Sequence, residues 1–294
     1  MTYVITCCST VDLSEERLKE RNIPYIPFHF FLSDQEYLDN FGKSMDPHTL
    51  YERMINGEMS RTSQCSIGEY DAFFRQYLEK GIDVLHFTLS SGISGTYNSA
   101  CLAAEQLRDD FPERTIEIID SLSASSGYGM LVEMAKDKAD EGKSLEEVKE
   151  YALNLRENLN HWFITTDLTF FIRGGRVTKT AGFFGKMFNI CPLLDVDPKG
   201  GLRPLEKVRL KSRAMKRLVE KMEECADGGT AYSGRCYISQ SDCFEDARAV
   251  ADMIEEKFPA LKGKVEIYPI GATIGCHTGP GTIALFFTGK QRQN

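Results

Sequence analysis

The 294-residue sequence predicts an α/β protein of two domains, and three observations lead to this prediction. The chain is longer than the usual size of one compact core. Strands and helices alternate through its first half, which is typical of a parallel sheet covered on both faces. The second half has more strands per helix, which favours a mixed sheet with helices on one face. We predict a three-layer parallel-sheet domain with a Rossmann-like strand order over residues 1–159, and a mixed-sheet α/β domain over residues 160–294.

Helix caps and apolar runs define the elements of the first domain. Asp46 followed by Pro47 predicts the start of a helix, because Asp caps helix N-termini and Pro suits the first helical position. Ser66 with Glu69 forms a capping box that begins another helix, and the same pattern recurs at residues 144–147. Strands or extended segments are expected at residues 3–5, 24–31, 83–89 and 115–119, and further helices at 14–21, after 95 and at 121–142.

The second half of the chain contains a different order of elements. Phe170 and Phe171 indicate a helical turn after its first strand. No internal repeat or low-complexity segment is present. Strands are expected near residues 161–166, 190–196, 202–210, 235–240, 265–270 and 282–288, and helices near 213–225 and 244–258.

Composition and charge exclude several classes of protein. The formal net charge of −8 and the sequence pI of about 5.3 argue against nucleic-acid binding, which usually needs a basic surface. No apolar run approaches the ~20 residues that span a bilayer, and the N-terminus lacks the charged and apolar regions of a signal peptide. We expect a cytoplasmic protein with no transmembrane segment, and transient contact with a membrane stays open.

Cysteine usage favours the same compartment. The nine cysteines include no C-x-x-C pair, and Cys7 and Cys8 are adjacent. Zinc sites and disulfide frameworks have tighter spacing, so we expect free thiols in a reducing environment and no bound metal or cofactor. The densest basic stretch, residues 207–217, is interpreted as a solvated strand and helix face, with a docking surface for an acidic partner as the alternative.

The most informative segment runs from Ser90 to Ala100, between a predicted buried strand and a helix. Gly92 and Gly95 let the chain turn sharply and approach a ligand closely. The Ser94 hydroxyl and free backbone N–H groups converge at a helix N-terminus, where a carboxylate or phosphate is favoured. The segment follows the carboxyl end of a strand, where ligands bind in open parallel sheets. An ordinary capped turn is the alternative, and the spacing matches neither a Walker A loop nor a dinucleotide-binding fingerprint.

A second candidate segment, residues 61–66, precedes a capped helix. Capping explains Ser66, but Thr62, Ser63 and Gln64 remain as a cluster of small hydrogen-bond donors in a predicted loop. Taken alone, such a cluster is more often found at a surface than at a ligand.

Two segments of the second domain add further candidates. Arg173 and Arg176 flank a glycine pair, and Arg is the usual partner of a carboxylate or phosphate. A tight turn with two solvated arginines is the alternative. His277 lies among four glycines in residues 271–281. A lone histidine in apolar surroundings is usually a core residue, but this glycine density favours a functional imidazole more than usual. The phenylalanine-rich segment at 181–188 fits core packing or the lining of a lipid tunnel.

Five short motifs, in order along the chain, resemble signatures of the DegV family. They are Thr-Ser-Gln at 62–64, Ser-Gly-Ile-Ser-Gly-Thr at 91–96, Asp-Ser-Leu at 120–122, Arg-Gly-Gly-Arg at 173–176 and His-Thr-Gly-Pro-Gly at 277–281. The resemblance implies that a long-chain fatty acid such as palmitate is held between the two domains. It also implies that the carboxylate lies near Thr62 and Ser94, with His277 close by. Ser63, Gly95 and Thr96 are expected binding residues within the same motifs.

The resemblance also implies a role in lipid transport or fatty acid metabolism. Some members of the family serve a bacterial fatty acid kinase: they present the bound carboxylate to an ATP-dependent partner, which forms an acyl-phosphate. We therefore expect a carrier subunit rather than an enzyme, with a separate kinase subunit as its partner. Arg173 and His277 are the expected supports of phosphoryl transfer, because that step needs fixed cations or donors.

One position departs from the family pattern. A Thr-Asp-Ser-Thr run is common near the N-terminus of family members, whereas this chain has Thr6-Cys7-Cys8-Ser9-Thr10. Cys8 therefore stands where the Asp would be. If that Asp orients the Ser94 loop, Cys8 replaces a charged acceptor with a weak one, which would affect kinase coupling more than tail binding.

Two other functions fit parts of the sequence. A hydrolase with Ser94 as nucleophile and His277 as base would need an orienting acid, and the sequence reveals neither that acid nor a G-x-S-x-G elbow. A redox module based on Cys7 and Cys8 would depend on a strained disulfide between adjacent residues. The fatty acid carrier accounts for more of the chain than either alternative.

Overall fold

A computed structural model describes residues 3–178 and 189–293 of the chain. The phenylalanine-rich segment at 181–188, interpreted above as core packing or tunnel lining, lies outside these residues. The described strands are β1 (Tyr3–Cys8), β2 (Tyr25–Ile26), β3 (His29–Leu32), β4 (Gln35–Leu38), β5 (Ser60–Ser63), β6 (Asp83–Thr88), β7 (Ile116–Asp120), β8 (Leu159–Ile164), β9 (Ile190–Val196), β10 (Leu202–Arg209), β11 (Cys236–Gln240), β12 (Glu266–Pro269) and β13 (Ile283–Thr288). The described helices are α1 (Glu15–Glu20), α2 (Pro47–Ile55), α3 (Ile67–Leu78), α4 (Thr96–Asp110), α5 (Ser125–Asp140), α6 (Leu145–Asn158), α7 (Thr169–Arg173), α8 (Lys211–Cys225), α9 (Phe244–Lys257) and α10 (Ala272–Thr278).

The N-terminal domain is built on a parallel sheet, as predicted. Its strand order is β2-β1-β6-β7. Helices α3 and α4 pack on one face through apolar residues such as Phe74 and Leu107, and α5 and α6 pack on the other. The predicted helix starts are confirmed, because Asp46 accepts a hydrogen bond from the Thr49 N–H and both capping boxes are formed.

A small antiparallel sheet, β4-β3-β5, lies beside the parallel sheet and was not predicted. It corrects the prediction that Thr62 and Ser63 lie in a loop, because both are residues of β5. Thr62 pairs with Phe30 of β3. The polar sequence Ser-Arg-Thr-Ser of β5 has no apolar alternation, which is why its strand character was missed.

The C-terminal domain is built on a mixed sheet with the order β10-β9-β8-β13-β11-β12. β11 and β12 are parallel, and the other neighbours are antiparallel. Helices α8 and α9 cover one face, in agreement with the prediction. The basic stretch at 207–217 falls on β10 and α8, where Arg217 pairs with Glu206 and Glu224, as expected for a solvated face.

Helix α5 joins the two domains. One face of it packs on the parallel sheet, and another packs on β8, β11 and β13 of the mixed sheet. One of the apolar clusters therefore extends through both domains. The domain boundary at residue 159 stays a prediction, since β8 begins at Leu159 but this cluster crosses it.

Candidate functional site

A cavity of about 310 Å³ lies between the two domains. Such a volume is at the lower end of the range for small-molecule sites. Most of its wall is apolar, and many of its polar residues come from β5, the loop after β6, and α10. The lining residues are Phe28, Thr62, Ser63, Gln64, Leu89, Ile93, Ser94, Ala124, Ser125, His161, Phe163, Phe171, Arg176, Val196, Leu202, Ile270, Thr273, Ile274, His277, Thr278, Thr282, Ala284 and Phe286.

Thr62 and His277, which we call the head-end pair, form the contact between the domains at the polar end. Thr62 Oγ1 lies 2.8 Å from His277 Nε2. Burial, helped by the positive charge of Arg176, lowers the pKa of His277 to about 4, so the ring is neutral at neutral pH. His277 Nδ1 is buried without a hydrogen-bond partner among the described residues. Because an unpaired buried N–H is rarer than an unpaired acceptor, we assign the proton to Nε2, which then donates to Thr62 and leaves the Thr62 hydroxyl proton for a ligand.

Glycines fix the position of the His277 ring. A Cβ atom on Gly174 would collide with His277 Nδ1, so only glycine lets the turn after α7 approach the ring. Gly279, at a φ of 65°, lies against the Phe170 ring in the same way. The Arg-Gly-Gly-Arg and His-Thr-Gly-Pro-Gly motifs therefore interlock, which explains their glycine content.

The two arginines of the first of these motifs differ in location. Arg176 lines the cavity, donating from Nε to the Ile93 carbonyl at 3.1 Å and from Nη1 to the Gly174 carbonyl at 2.6 Å. No acidic side chain of the described residues pairs with it, and burial lowers its pKa. Arg173 is exposed, stacks on Phe170, and does not line the cavity. The sequence motif indicated both arginines, but Arg176 was left out of the expected binding residues.

The loop between β6 and α4 brings Ser94 to the cavity. Ser94 Oγ accepts a hydrogen bond from the Thr96 N–H at 3.3 Å, which leaves its own proton free to donate. A Cβ on Gly95 would come within 2.6 Å of Gln64 Oε1, so this glycine lets the amide of Gln64 pack against the loop. Ser63 also reaches the cavity, at its exposed side.

Thr96 lies behind the loop rather than on the cavity wall. Its hydroxyl is buried and lies 2.7 Å from Tyr70 Oη, which in turn lies 3.2 Å from Cys8 Sγ. We call Cys8, Tyr70 and Thr96 the buried chain. Cys8 therefore connects to the Ser94 loop through Tyr70 and Thr96, and burial raises the pKa of its thiol to about 11. The adjacent His86 is also neutral, with its pKa lowered to about 3 by burial.

Two buried carboxyl groups position α10, which carries His277. Asp39 accepts hydrogen bonds from the Ala272 and Thr273 N–H groups at 3.3 and 3.1 Å. Asp12 accepts from the Gly271 N–H at 3.0 Å. Neither carboxyl was singled out in the sequence, because each lies more than two hundred residues from the helix that it caps.

The geometry does not support the two alternative functions. Ser94 bonds to the Thr96 N–H rather than to His277, and no described acid orients the His277 ring, so the parts of a hydrolase triad are not assembled. Cys7 and Cys8 are both fully buried and pack into different apolar clusters on the two faces of the sheet. Burial raises the pKa of both thiols, which disfavours the reactive thiolate.

Metal sites and membrane-spanning helices are both absent from residues 3–178 and 189–293. No group of three or more His, Cys, Asp or Glu side chains there could hold a metal ion. None of the helices in these ranges has the length and apolar content needed to cross a membrane.

The fold and cavity define a two-domain α/β protein with a ligand cavity between its domains. The model of the DegV family, described as uncharacterised proteins, matches residues 3–290. A DegV domain-containing protein of Lactococcus lactis is 37% identical over 288 residues, 97% of each chain. Another, from Clostridium perfringens, is 33% identical over 291 residues, 99% of each chain. The chain belongs to the DegV family.

Solved structures share the whole fold. A DegV family protein of Thermus thermophilus, described as fatty acid binding, is 27% identical with a TM-score of 0.87, and the match covers 99% of this chain and 100% of that one. A DegV lipid binding protein of Thermotoga maritima is 26% identical with a TM-score of 0.84 over both full chains. The fatty acid kinase protein Fak B3 of Streptococcus pneumoniae, solved with linoleic acid, is 24% identical with a TM-score of 0.84, covering 99% and 100%. At that identity Fak B3 shows a common fold alone.

Proposed function

We propose that the protein binds one long-chain fatty acid, such as palmitate, in the cavity between its domains. The observation that carries this proposal is an apolar cavity whose wall offers hydroxyl donors from Thr62 and Ser94. The fatty-acid-binding description of the Thermus thermophilus relative supports it. A role as carrier in lipid transport or fatty acid metabolism follows from such binding.

Burial of the acyl tail would supply most of the affinity. Each CH₂ removed from water contributes about 0.8 kcal/mol, so a chain of ~16 carbons would bind tightly even after ordering costs. Side chains such as Phe28, Leu89, Phe163 and Phe171 provide the apolar wall. The head group would then determine orientation more than affinity.

The carboxylate would take the donors at the polar end. Thr62 and Ser94 each have a hydroxyl proton free, and the neutral His277 fixes Thr62 rather than pairing directly with the ligand. Arg176 adds a positive charge that no described acid neutralises. Ser63 would contact the ligand at the exposed side of the cavity, and Gly95 and Thr96 would act indirectly, by shaping the loop that carries Ser94.

Mass spectrometry of the purified protein tests this proposal. Native spectra should show one bound fatty acid of about 14 to 18 carbons, the range in which tail burial is large, and organic extraction should release it. A protein that stays empty after incubation with several long-chain fatty acids would contradict the proposal.

We further propose that a separate ATP-dependent fatty acid kinase subunit uses the bound acid as its substrate, in the cytoplasm, where the free thiols would stay reduced. Exposed Arg173 is available to a partner's phosphoryl group, and His277 lies beside the head-group position. Arg173→Ala and His277→Ala should keep much of the palmitate affinity and lose most acyl-phosphate formation. Normal phosphorylation of both folded variants would contradict these roles.

A further inference from the structure

Two glycines lie on opposite sides of helix α5. A Cβ on Gly127 would collide with the Phe286 ring and come within 2.7 Å of His161 Cδ2. A Cβ on Gly129 would come within 2.7 Å of Leu13 Cγ and of the Val11 carbonyl oxygen. Contacts this short do not occur in packed interiors, so α5 fits between its neighbours only because both positions are glycine.

The two rings beside Gly127 belong to the cavity wall, and the strand register shows where they lie in it. Phe286 pairs with His161 across β13 and β8, and Ala284 pairs with Phe163 in the same way. All four side chains line the cavity. Thr282 precedes β13 and bonds to the Thr278 carbonyl, next to His277.

The floor of the cavity therefore runs along β13 from its head end to the rings. Alternate residues of a strand share a face and are about 6.8 Å apart, so Phe286 lies roughly 13 Å beyond Thr282. His161 and Phe286 thus occupy the far end from the Thr62–His277 pair, where the methyl end of a bound chain would arrive.

Helix α5 has no room to move away from these rings. Tyr128 Oη donates to the Phe87 carbonyl at 2.5 Å and accepts from the Cys8 N–H at 2.9 Å. Ser126 Oγ lies 2.6 Å from Ser239 Oγ. With Gly129 already packed on the opposite side, a side chain at position 127 would displace the His161 and Phe286 rings rather than the helix.

From this geometry we propose that Gly127 determines the longest acyl chain that the cavity accepts, by letting His161 and Phe286 lie back against α5 as the end wall. The inference rests on the proposed fatty acid binding and adds its chain-length specificity. Gly127→Ala pushes the rings into the cavity and shortens it, whereas Gly129→Ala disturbs the same helix on the side away from the cavity.

The test is calorimetric titration of the delipidated full-length protein with myristate, palmitate, stearate and arachidate. Each methylene group that can no longer be buried costs about 0.8 kcal/mol. If the shortened cavity excludes two of them, the ratio of stearate to myristate affinity should fall at least about tenfold in Gly127→Ala. Gly129→Ala, the matched control, should keep the wild-type ratio even if it is less stable. Phe286→Leu, which opens the end wall, should raise the relative affinity for stearate and arachidate.

The outcomes separate this inference from the proposed function. Wild-type protein that binds none of the four acids would remove the proposed function itself. Wild-type protein that binds them, with an unchanged chain-length profile in folded Gly127→Ala, would overturn the role of Gly127 alone. If Gly127→Ala does not fold, the chain-length dependence of affinity in Phe286→Leu tests the inference instead. An unchanged dependence in that variant would show that Phe286 does not close the end of the cavity.

Discussion

The head-end pair and the buried chain are both hydrogen-bonded groups, but only the head-end pair leaves a hydroxyl proton free at the cavity. In the buried chain, the Cys8 thiol, the Tyr70 hydroxyl and the Thr96 hydroxyl bond to one another and none faces the cavity. In the head-end pair, Thr62 faces the cavity with a hydroxyl proton to donate.

This difference distinguishes polar groups that stabilise the fold from polar groups that are available to bind a ligand. A buried polar network that satisfies itself stabilises one arrangement of the chain, whereas donors with free capacity at a cavity wall are suited to a ligand. Cys8 belongs to the first kind, so the neutral thiol at this position affects the loop from behind and leaves the donors at the cavity intact.

The largest expected effect comes from moving the head-end pair. Gly174→Ala places a methyl group against His277 Nδ1, so the ring and its bond to Thr62 should be displaced. Unlike truncation of His277 to Ala, this change keeps the ring and pushes it toward Thr62, whose hydroxyl it would then block. Loss of that hydrogen bond to a charged head group should weaken palmitate binding by about 3 kcal/mol, roughly a hundredfold. Titration calorimetry measures this loss.

The neighbouring glycine offers a matched control for that variant. Gly175 has a φ of 73° and nothing within 4 Å of its Cβ position. Gly175→Ala should therefore cost about 1 kcal/mol of backbone strain and leave palmitate affinity unchanged. Equal affinity losses in both variants would show that the turn, rather than the histidine, matters.

A smaller effect, on stability instead of binding, should follow from breaking the buried chain. Tyr70→Phe removes the hydroxyl between Cys8 and Thr96 and leaves the buried Thr96 hydroxyl without that partner. The free energy of unfolding, measured in urea, should fall by about 2 kcal/mol. Palmitate affinity of the folded variant should stay close to the wild-type value. A large loss of affinity with unchanged stability would show that the buried chain acts in ligand binding rather than in stabilising the fold.

The smallest effect is the pH dependence of stability at His277. The pKa of His277 is lowered to about 4 in the folded protein. Below about pH 6.5 the unfolded chain therefore binds a proton that the folded protein does not bind until the pH approaches 4. Stability is therefore lost on acidification from about pH 6.5 to pH 4. His277→Gln lacks this loss, so between about pH 6 and pH 5 the wild type should lose about 1 kcal/mol more than the variant. Parallel curves in urea titrations would contradict a neutral buried ring.

Local signals in the sequence predicted local structure well. Capping boxes at Ser66 and Ser144 and the Asp46-Pro47 pair indicate helix starts because each acts within one turn of the chain. The glycine-rich segment around His277 correctly indicated close packing, since Gly275 lies against the Tyr51 hydroxyl.

Signals that act over long distances in the chain were missed. β5 exists because Thr62 pairs with Phe30, and α10 begins where Asp39 caps it. The sequence also could not show which arginine of the 173–176 motif faces the cavity, because the turn after α7 decides this. Candidate residues could be chosen from motifs, but their division into cavity wall and buried support needed the structure.

The central claim, that the donors of the head end hold a carboxylate, is tested most directly by exchanging the ligand's head group. Palmitate and cetyl alcohol share one tail, and both can be titrated into wild-type protein, Thr62→Val and Ser94→Ala. Each substitution should reduce the preference for palmitate over the alcohol by about 1.5–3 kcal/mol, the value of a hydrogen bond to a charged group. Substitutions that weaken both ligands equally, or neither, would contradict the claim.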